Sequence, residues 1–144
     1  MVESLKRDAA EMLRGMVAIP SVTFQEKEVC DFIAGLLEGW GLKPERIGNN
    51  LLCGELDPAK KTLMMCAHID TVPPCDEYAE MPGAICGLGS NDDGGSVAAL
   101  TAVFRYFAAG RPLPFNLLLA LTAEEAAGAP ENAKLMPVKA GKGK

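Results

Sequence analysis

The stretch MMCAHIDTVPP, residues 64–74, carries the only histidine of a 144-residue chain. An apolar run leads into it, an aspartate follows two positions later, and a proline-rich turn closes it. Traced back to Lys61, the segment KTLMMCAHI reads as a strand with His68 at its carboxyl end. NNLLCGEL, from Asn49, reads as a second strand. FNLLLALT, residues 115–122, is a continuous apolar run, the pattern of a strand buried on both faces.

Helical spacing organises the intervening segments. Leu5, Ala9, Met12, Leu13, Met16 and Val17 form one stripe, which predicts a helix over 2–18 that ends before Pro20. TFQE, residues 23–26, offers a capping box of Thr23 with Glu26. The helix behind it carries Val29, Phe32, Ile33, Leu36, Leu37 and Trp40 on one face and stops at Gly41. DDGGSVAALTAVFRYFAAG reads as a loop entering a helix with Val97, Leu100, Phe104 and Phe107 inward. Strands alternating with helices predict an α/β fold, a three-layer sandwich with a largely parallel sheet.

At 49% hydrophobic and 23% charged residues, the chain has a globular composition and the length to bury the core of one domain. A net charge of −5 argues against a nucleic-acid partner, which calls for basic patches. No apolar run reaches the roughly 18 residues of a membrane span. MVESLKRDAAEMLRGM, at the start, lacks the apolar core of a signal peptide. The five cysteines, at 30, 53, 66, 75 and 86, form no regular framework, which predicts reduced thiols and a cytoplasmic location. Residues 1–136 read as one domain, and 137–144, VKAGKGK with its preceding proline, as a basic flexible tail or an artificial end.

Three apolar segments finish in, or lead to, acidic clusters: His68 with Asp70, Asp92 with Asp93, and Glu124 with Glu125. Ligands of open α/β sheets bind at the carboxyl ends of strands. One histidine and five carboxylates gathered there suit a divalent metal, zinc above all, with cobalt or manganese as alternatives. His68 and Asp70 share one strand face, so the aspartate can orient the imidazole through its second nitrogen. One carboxylate of the NDD loop could bridge two ions. Of two adjacent glutamates, one can bind metal while its neighbour serves as general base.

Each cluster also has a plainer reading. A lone histidine is most often a surface or satisfied core residue. GLGSNDDGG can be a turn, and AEEAAG a helix start whose acids suit the dipole. A dinucleotide loop fits poorly, because it needs glycine where Asp92 stands. Cys66, His68, Cys75 and Cys86 could hold a structural zinc, but their spacing matches no common zinc pattern.

In order and spacing, AHIDTVPP, GLGSNDDGGSVAAL and LTAEEAAG, within residues 66–128, resemble three successive motifs of the zinc amidohydrolases and metallopeptidases. That family includes acetylornithine deacetylase, succinyl-diaminopimelate desuccinylase, aminoacylase and carboxypeptidase G. The GLGSND wording is most similar to the acetylornithine deacetylase branch, an arginine-biosynthesis enzyme. The resemblance implies the amino-terminal half of a zinc-peptidase catalytic domain that hydrolyses an N-acyl amino acid or peptide amide. It implies His68 as ligand of one metal, Asp92 as the bridging ligand and Glu125 as ligand of the second. Asp70 would orient His68, Glu124 would be the general base, and a cis peptide would follow Asp92.

The chain departs from the family pattern in several places. Gly94 stands where lysine is common, and the connection from Pro74 to Gly87 is shorter than usual. The family supplies a further carboxylate and a histidine downstream, together with a dimerisation domain, and this chain holds no second histidine. Each metal would keep two protein ligands. The alternative expectation is therefore a non-catalytic remnant or metal-binding module that keeps the fold without turnover.

Overall fold

A computed structural model describes residues 1–74, 81–110 and 112–125. The tail expected at 137–144, the end of the domain expected at 136, and Cys75 lie outside the described residues. The elements run α1 (Val2–Val17), α2 (Lys27–Gly39), β1 (Glu45–Ile47), β2 (Asn50–Cys53), β3 (Thr62–His68), α3 (Gly94–Ala108) and β4 (Asn116–Thr122). Every strand and helix read from the apolar pattern is present. The three-residue β1 was not foreseen, because ERI is too short and too polar to show an alternation.

The sheet order is β1-β2-β4-β3. β3 and β4 are parallel, Thr62 opposite Asn116 through His68 opposite Thr122. α3 lies between them in the chain, as a parallel crossover requires. The other two pairings, β1 with β2 and β2 with β4, are antiparallel. The expected largely parallel sheet is thus a mixed one. The apolar run of β4 correctly signalled burial on both faces, since Leu118, Leu119, Ala120 and Leu121 are all at most 1% exposed. Burial carries no information about strand direction. The Ile47–Asn50 pairing turns the chain back within two residues, and that hairpin sets β2 against both neighbours.

Met12 and Met16 of α1, Val29, Ile33 and Leu37 of α2, and Val97 and Phe104 of α3 join Leu51, Ala67, Leu119 and Leu121 in one core cluster. These strand residues share one sheet face, so the described helices pack on that face. A helical layer on the opposite face is not among the described residues. Phe107, expected inward, is 44% exposed. Ala98, Thr101 and Ala102 are buried instead, which rotates the buried stripe of α3 toward its smaller residues.

Helix ends show where local rules hold and where they yield. After α2, Gly41 adopts φ +79. Its N–H donates to the Glu38 carbonyl at 2.8 Å, and the Leu42 N–H to the Leu37 carbonyl at 3.0 Å. This is the Schellman closure that a glycine beyond the last turn permits. At the other end the expected capping box does not form. Glu26 itself is the N-cap and makes no side-chain cap bond. Its carboxylate and the Thr23 hydroxyl are committed to distant partners described below. Between β2 and β3, Asn116 anchors the connection, accepting from the Asp57 N–H at 3.0 Å and donating to the Asp57 carbonyl at 2.9 Å. Arg105 of α3 bonds Asp8 of α1 at 2.5 Å and stacks on Trp40 at 4.3 Å.

Leu119 is fully buried in the central strand. Leu119→Ala should cost about 2–5 kcal/mol in urea unfolding. A surface test concerns Asp31, whose carboxyl is held below the usual carboxylate range by hydrogen bonds from Lys27 and then Arg46. A depressed native pKa gives stability that is present above the unfolded value, about 3.9, and is lost as pH falls through the native one. Asp31→Asn should therefore be slightly less stable than wild type near neutral pH. The difference should vanish in strong acid.

Candidate metal centre

The parallel register ends with His68 opposite Thr122, and the Ile69 N–H donates to the Thr122 carbonyl at 2.8 Å. Both strands then leave the sheet at the same end, β3 leading to Asp70 and β4 to Glu124 and Glu125. The turn before α3 arrives at the same place. There, the peptide bond between Asp92 and Asp93 is cis, at the position the resemblance implied. His68, Asp70, Asp92 and Glu125 line one cleft of about 130 Å³, walled on its apolar side by Val72 and Leu88. Larger hollows lie elsewhere. That of about 630 Å³ beside α1 and α3 gathers Asp8 and Arg105, which already pair with each other.

The His68 imidazole is set from both sides. Its Nδ1 lies 3.0 Å from the Asp70 carbonyl oxygen and 3.5 Å from Asp70 Oδ1. The backbone carbonyl, rather than the expected carboxylate, is the nearer partner. A carbonyl can only accept, so Nδ1 carries the proton. Nε2 lies 3.1 Å from Asp92 Oδ1. In a neutral ring, Nε2 would present a lone pair to an acceptor-only carboxylate. The contact is favourable only with a cation between or beside them, either a proton on Nε2 or a metal ion. Burial draws the His68 pKa down. The Asp70 carbonyl, the Asp92 hydrogen bond and the charges of Asp70 and Asp93 outweigh it, and the net shift is upward.

This donor set fits a divalent ion. Two atoms each about 2.0–2.2 Å from one tetrahedral zinc sit roughly 3–3.5 Å apart. The described residues bring no three histidine, cysteine, aspartate or glutamate side chains together as one ion's ligands. Asp92 is 83% exposed, whereas Asp70 is 2% exposed and uses both carboxylate oxygens. Asp70 Oδ2 accepts from the Thr23 hydroxyl at 2.7 Å, and Oδ1 from the Glu125 N–H at 3.1 Å.

Three residues take supporting roles that the sequence does not reveal. Asp93 Oδ2 accepts from the His68 N–H at 3.3 Å, so the residue after Asp92 holds the end of β3. Thr23 and Glu26 reach the same region. Only the paired acids NDD gave any sign of the first, and the TFQE pattern pointed to a local cap for the other two. Gly94 has a steric reason. A Cβ there would lie 2.4 Å from the Gly89 carbonyl oxygen, so this tight entry to α3 leaves no room for a larger residue. Among the described cysteines Cys30, Cys53, Cys66 and Cys86 are free thiols. Burial pushes the Cys30 and Cys53 thiols up, away from the reactive thiolate.

The chain is 34% identical over 131 residues to a probable carboxypeptidase of Emericella nidulans, covering 81% of this chain and 31% of the relative. It is 29% identical over 141 residues to succinyl-diaminopimelate desuccinylase of Wolinella succinogenes, covering 92% of this chain and 38% of the relative. The chain thus spans about a third of the length of these curated relatives. Its fold superposes with a TM-score of 0.70 on a dinuclear metal-binding M20-family peptidase from Bacillus subtilis, at 16% identity, covering 92% of this chain and 40% of that one. The profile of Peptidase family M28 matches residues 52–135, more than half of the sequence and all three acidic clusters, and the chain belongs to that metallopeptidase family as part of a catalytic domain.

Proposed function

We propose that this chain supplies the amino-terminal part of a zinc-dependent hydrolase that cleaves N-acyl amino acid or peptide amide bonds, in the manner of acetylornithine deacetylase. The observation that carries the reading is the 3.1 Å approach of His68 Nε2 to Asp92 Oδ1, in a cleft shared with Asp70 and Glu125. His68 and Asp92 would hold one ion, and Asp92 and Glu125 a second; zinc, cobalt or manganese suits these donors. Such ions, when bound, polarise a carbonyl and make water acidic near neutral pH.

The chain's own residues account for the remaining roles. The Asp70 carbonyl fixes the His68 tautomer, leaving Nε2 as a donor atom. Glu124, at the exit of β4, takes a proton from water on its carboxylate and returns it to the leaving amine. The site suits a small N-acyl amino acid or short peptide. The acidic balance does not suit nucleic acid. Free thiols at four described cysteines favour a cytoplasmic setting. No described helix is long and apolar enough to cross a membrane. A second reading, a metal-binding module without turnover, draws support from the described residues, which gather no three ligand side chains around one ion.

Zinc titration of this chain should show weak binding that His68→Ala removes, because the roles proposed above give each ion two protein ligands among the described residues. Tight binding that survives His68→Ala would place the ion elsewhere. In a form spanning the full length of its relatives, Glu124→Gln should lower hydrolysis of N-acetyl amino acids about a hundredfold while zinc content stays near wild type. Glu125→Gln should lower zinc content first. Unchanged hydrolysis in both variants would reject the reading.

A further inference from the structure

Two non-glycine residues among those described have a left-handed backbone: Phe24 at φ 73 and Glu124 at φ 58. Such conformations persist only where the surroundings enforce them. Here one atom binds both. Glu26 Oε1 accepts from the Phe24 N–H at 2.7 Å and from the Glu124 N–H at 3.2 Å, the latter 98 positions along the chain. The other oxygen, Oε2, faces Asn49 Nδ2 at 3.4 Å, and Asn49 Oδ1 accepts in turn from Arg46 at 3.0 Å.

Glu26 is 0% exposed, and no described basic side chain forms an ion pair with it. A carboxylate in that position is costly unless hydrogen bonds satisfy it, and most of those it finds are backbone amides. It stands at the start of α2 yet makes no side-chain bond to the amides of that helix. Helix capping therefore does not explain its burial. What it does instead is grip the residue beside the cleft. The next amide is held the same way, with the Glu125 N–H on Asp70 Oδ1 at 3.1 Å. The two carboxylates are joined through one loop, since the Thr23 hydroxyl donates to Asp70 while the adjacent Phe24 N–H donates to Glu26.

We infer that Glu26 is a positioning residue for the site: it clamps the left-handed turn at Glu124 and, together with Asp70, sets the direction in which the Glu124 and Glu125 side chains leave the sheet. This rests on the roles proposed above for Glu124 and Glu125, and the test separates the two. Amide exchange by NMR and zinc titration would be measured on wild type, Glu26→Ala, Glu26→Gln and Val29→Ala. Val29 is 1% exposed on α2 and controls for general loosening of that helix.

In Glu26→Ala, protection of the Glu124 and Glu125 amides should fall at least tenfold more than that of Leu119 and Leu121, and zinc affinity about tenfold. Glu26→Gln keeps a carbonyl acceptor and should restore most of both. Val29→Ala should lower protection across the core without singling out Glu124. Loss spread evenly over β4 in Glu26→Ala, or unchanged zinc affinity despite selective loss at Glu124 and Glu125, would overturn the inference. If wild type shows no zinc binding that His68→Ala removes, the metal reading fails instead. Glu26 is then judged on the amides alone: selective loss upholds the clamp, and even loss overturns it. Should Glu26→Ala not fold, Glu26→Gln carries the same comparison, with a smaller but still selective loss expected at Glu124. No selective loss there would overturn it.

Discussion

The parallel pairing of β3 with β4 is the constraint on which the rest depends. Seven residue pairs, from Thr62–Asn116 to His68–Thr122, bring two strands to the same end of the sheet in register. A parallel pair needs a long connection, and that connection carries both the NDD turn and α3. All three acidic clusters are thereby delivered to one edge by the geometry of a single crossover. β4 can act as the common partner because both of its faces are buried and both of its edges are paired. Asn50 extends the arrangement across the sheet, its Oδ1 accepting from the Ala123 N–H at 2.7 Å just before Glu124.

Around that end the chain places its charges unequally. Glu26 and Asp70 are buried, at 0% and 2% exposure, and most of their partners are amide N–H groups. Hydrogen bonds to a charged acceptor are strong, and removing a buried partner leaves the other group desolvated. These two groups therefore give rigidity to the loop at Thr23–Glu26 and to the turn at Glu124–Glu125. Asp31, by contrast, meets Lys27 and Arg46 in solvent, where ion pairs contribute little. Asp92 is exposed and touches His68 alone among the described side-chain contacts. The firmly held acids are supports, and the loosely held one faces the cleft.

The contact between His68 and Asp92 gives this arrangement its chemical sense. With the proton on Nδ1 committed to a carbonyl, the two facing acceptor atoms call for a positive charge. The raised pKa of His68 is the protonic form of that demand, and a divalent ion would meet it in the same place.

The sequence by itself determined the elements and the candidate residues. Stripes such as Met12, Met16, Ile33 and Leu37 and the unbroken run Leu117–Leu121 show which surfaces are buried, because periodicity records burial directly. His68, Asp70, Asp92 and Glu125 could be named from the ends of those runs, and the structure gathers them at one cleft. Tertiary structure alone decided the direction of β2 against β4, the outward turn of Phe107, the carbonyl partner of His68 and the commitment of Glu26 to an amide 98 residues away. The reason is physical. An apolar pattern shows that a face is covered but not by what or in which direction, and a buried carboxylate leaves no local trace of the amides it satisfies. TFQE fits a helix cap as well as a long-range clamp, and only packing the loop against the end of β4 separates the two.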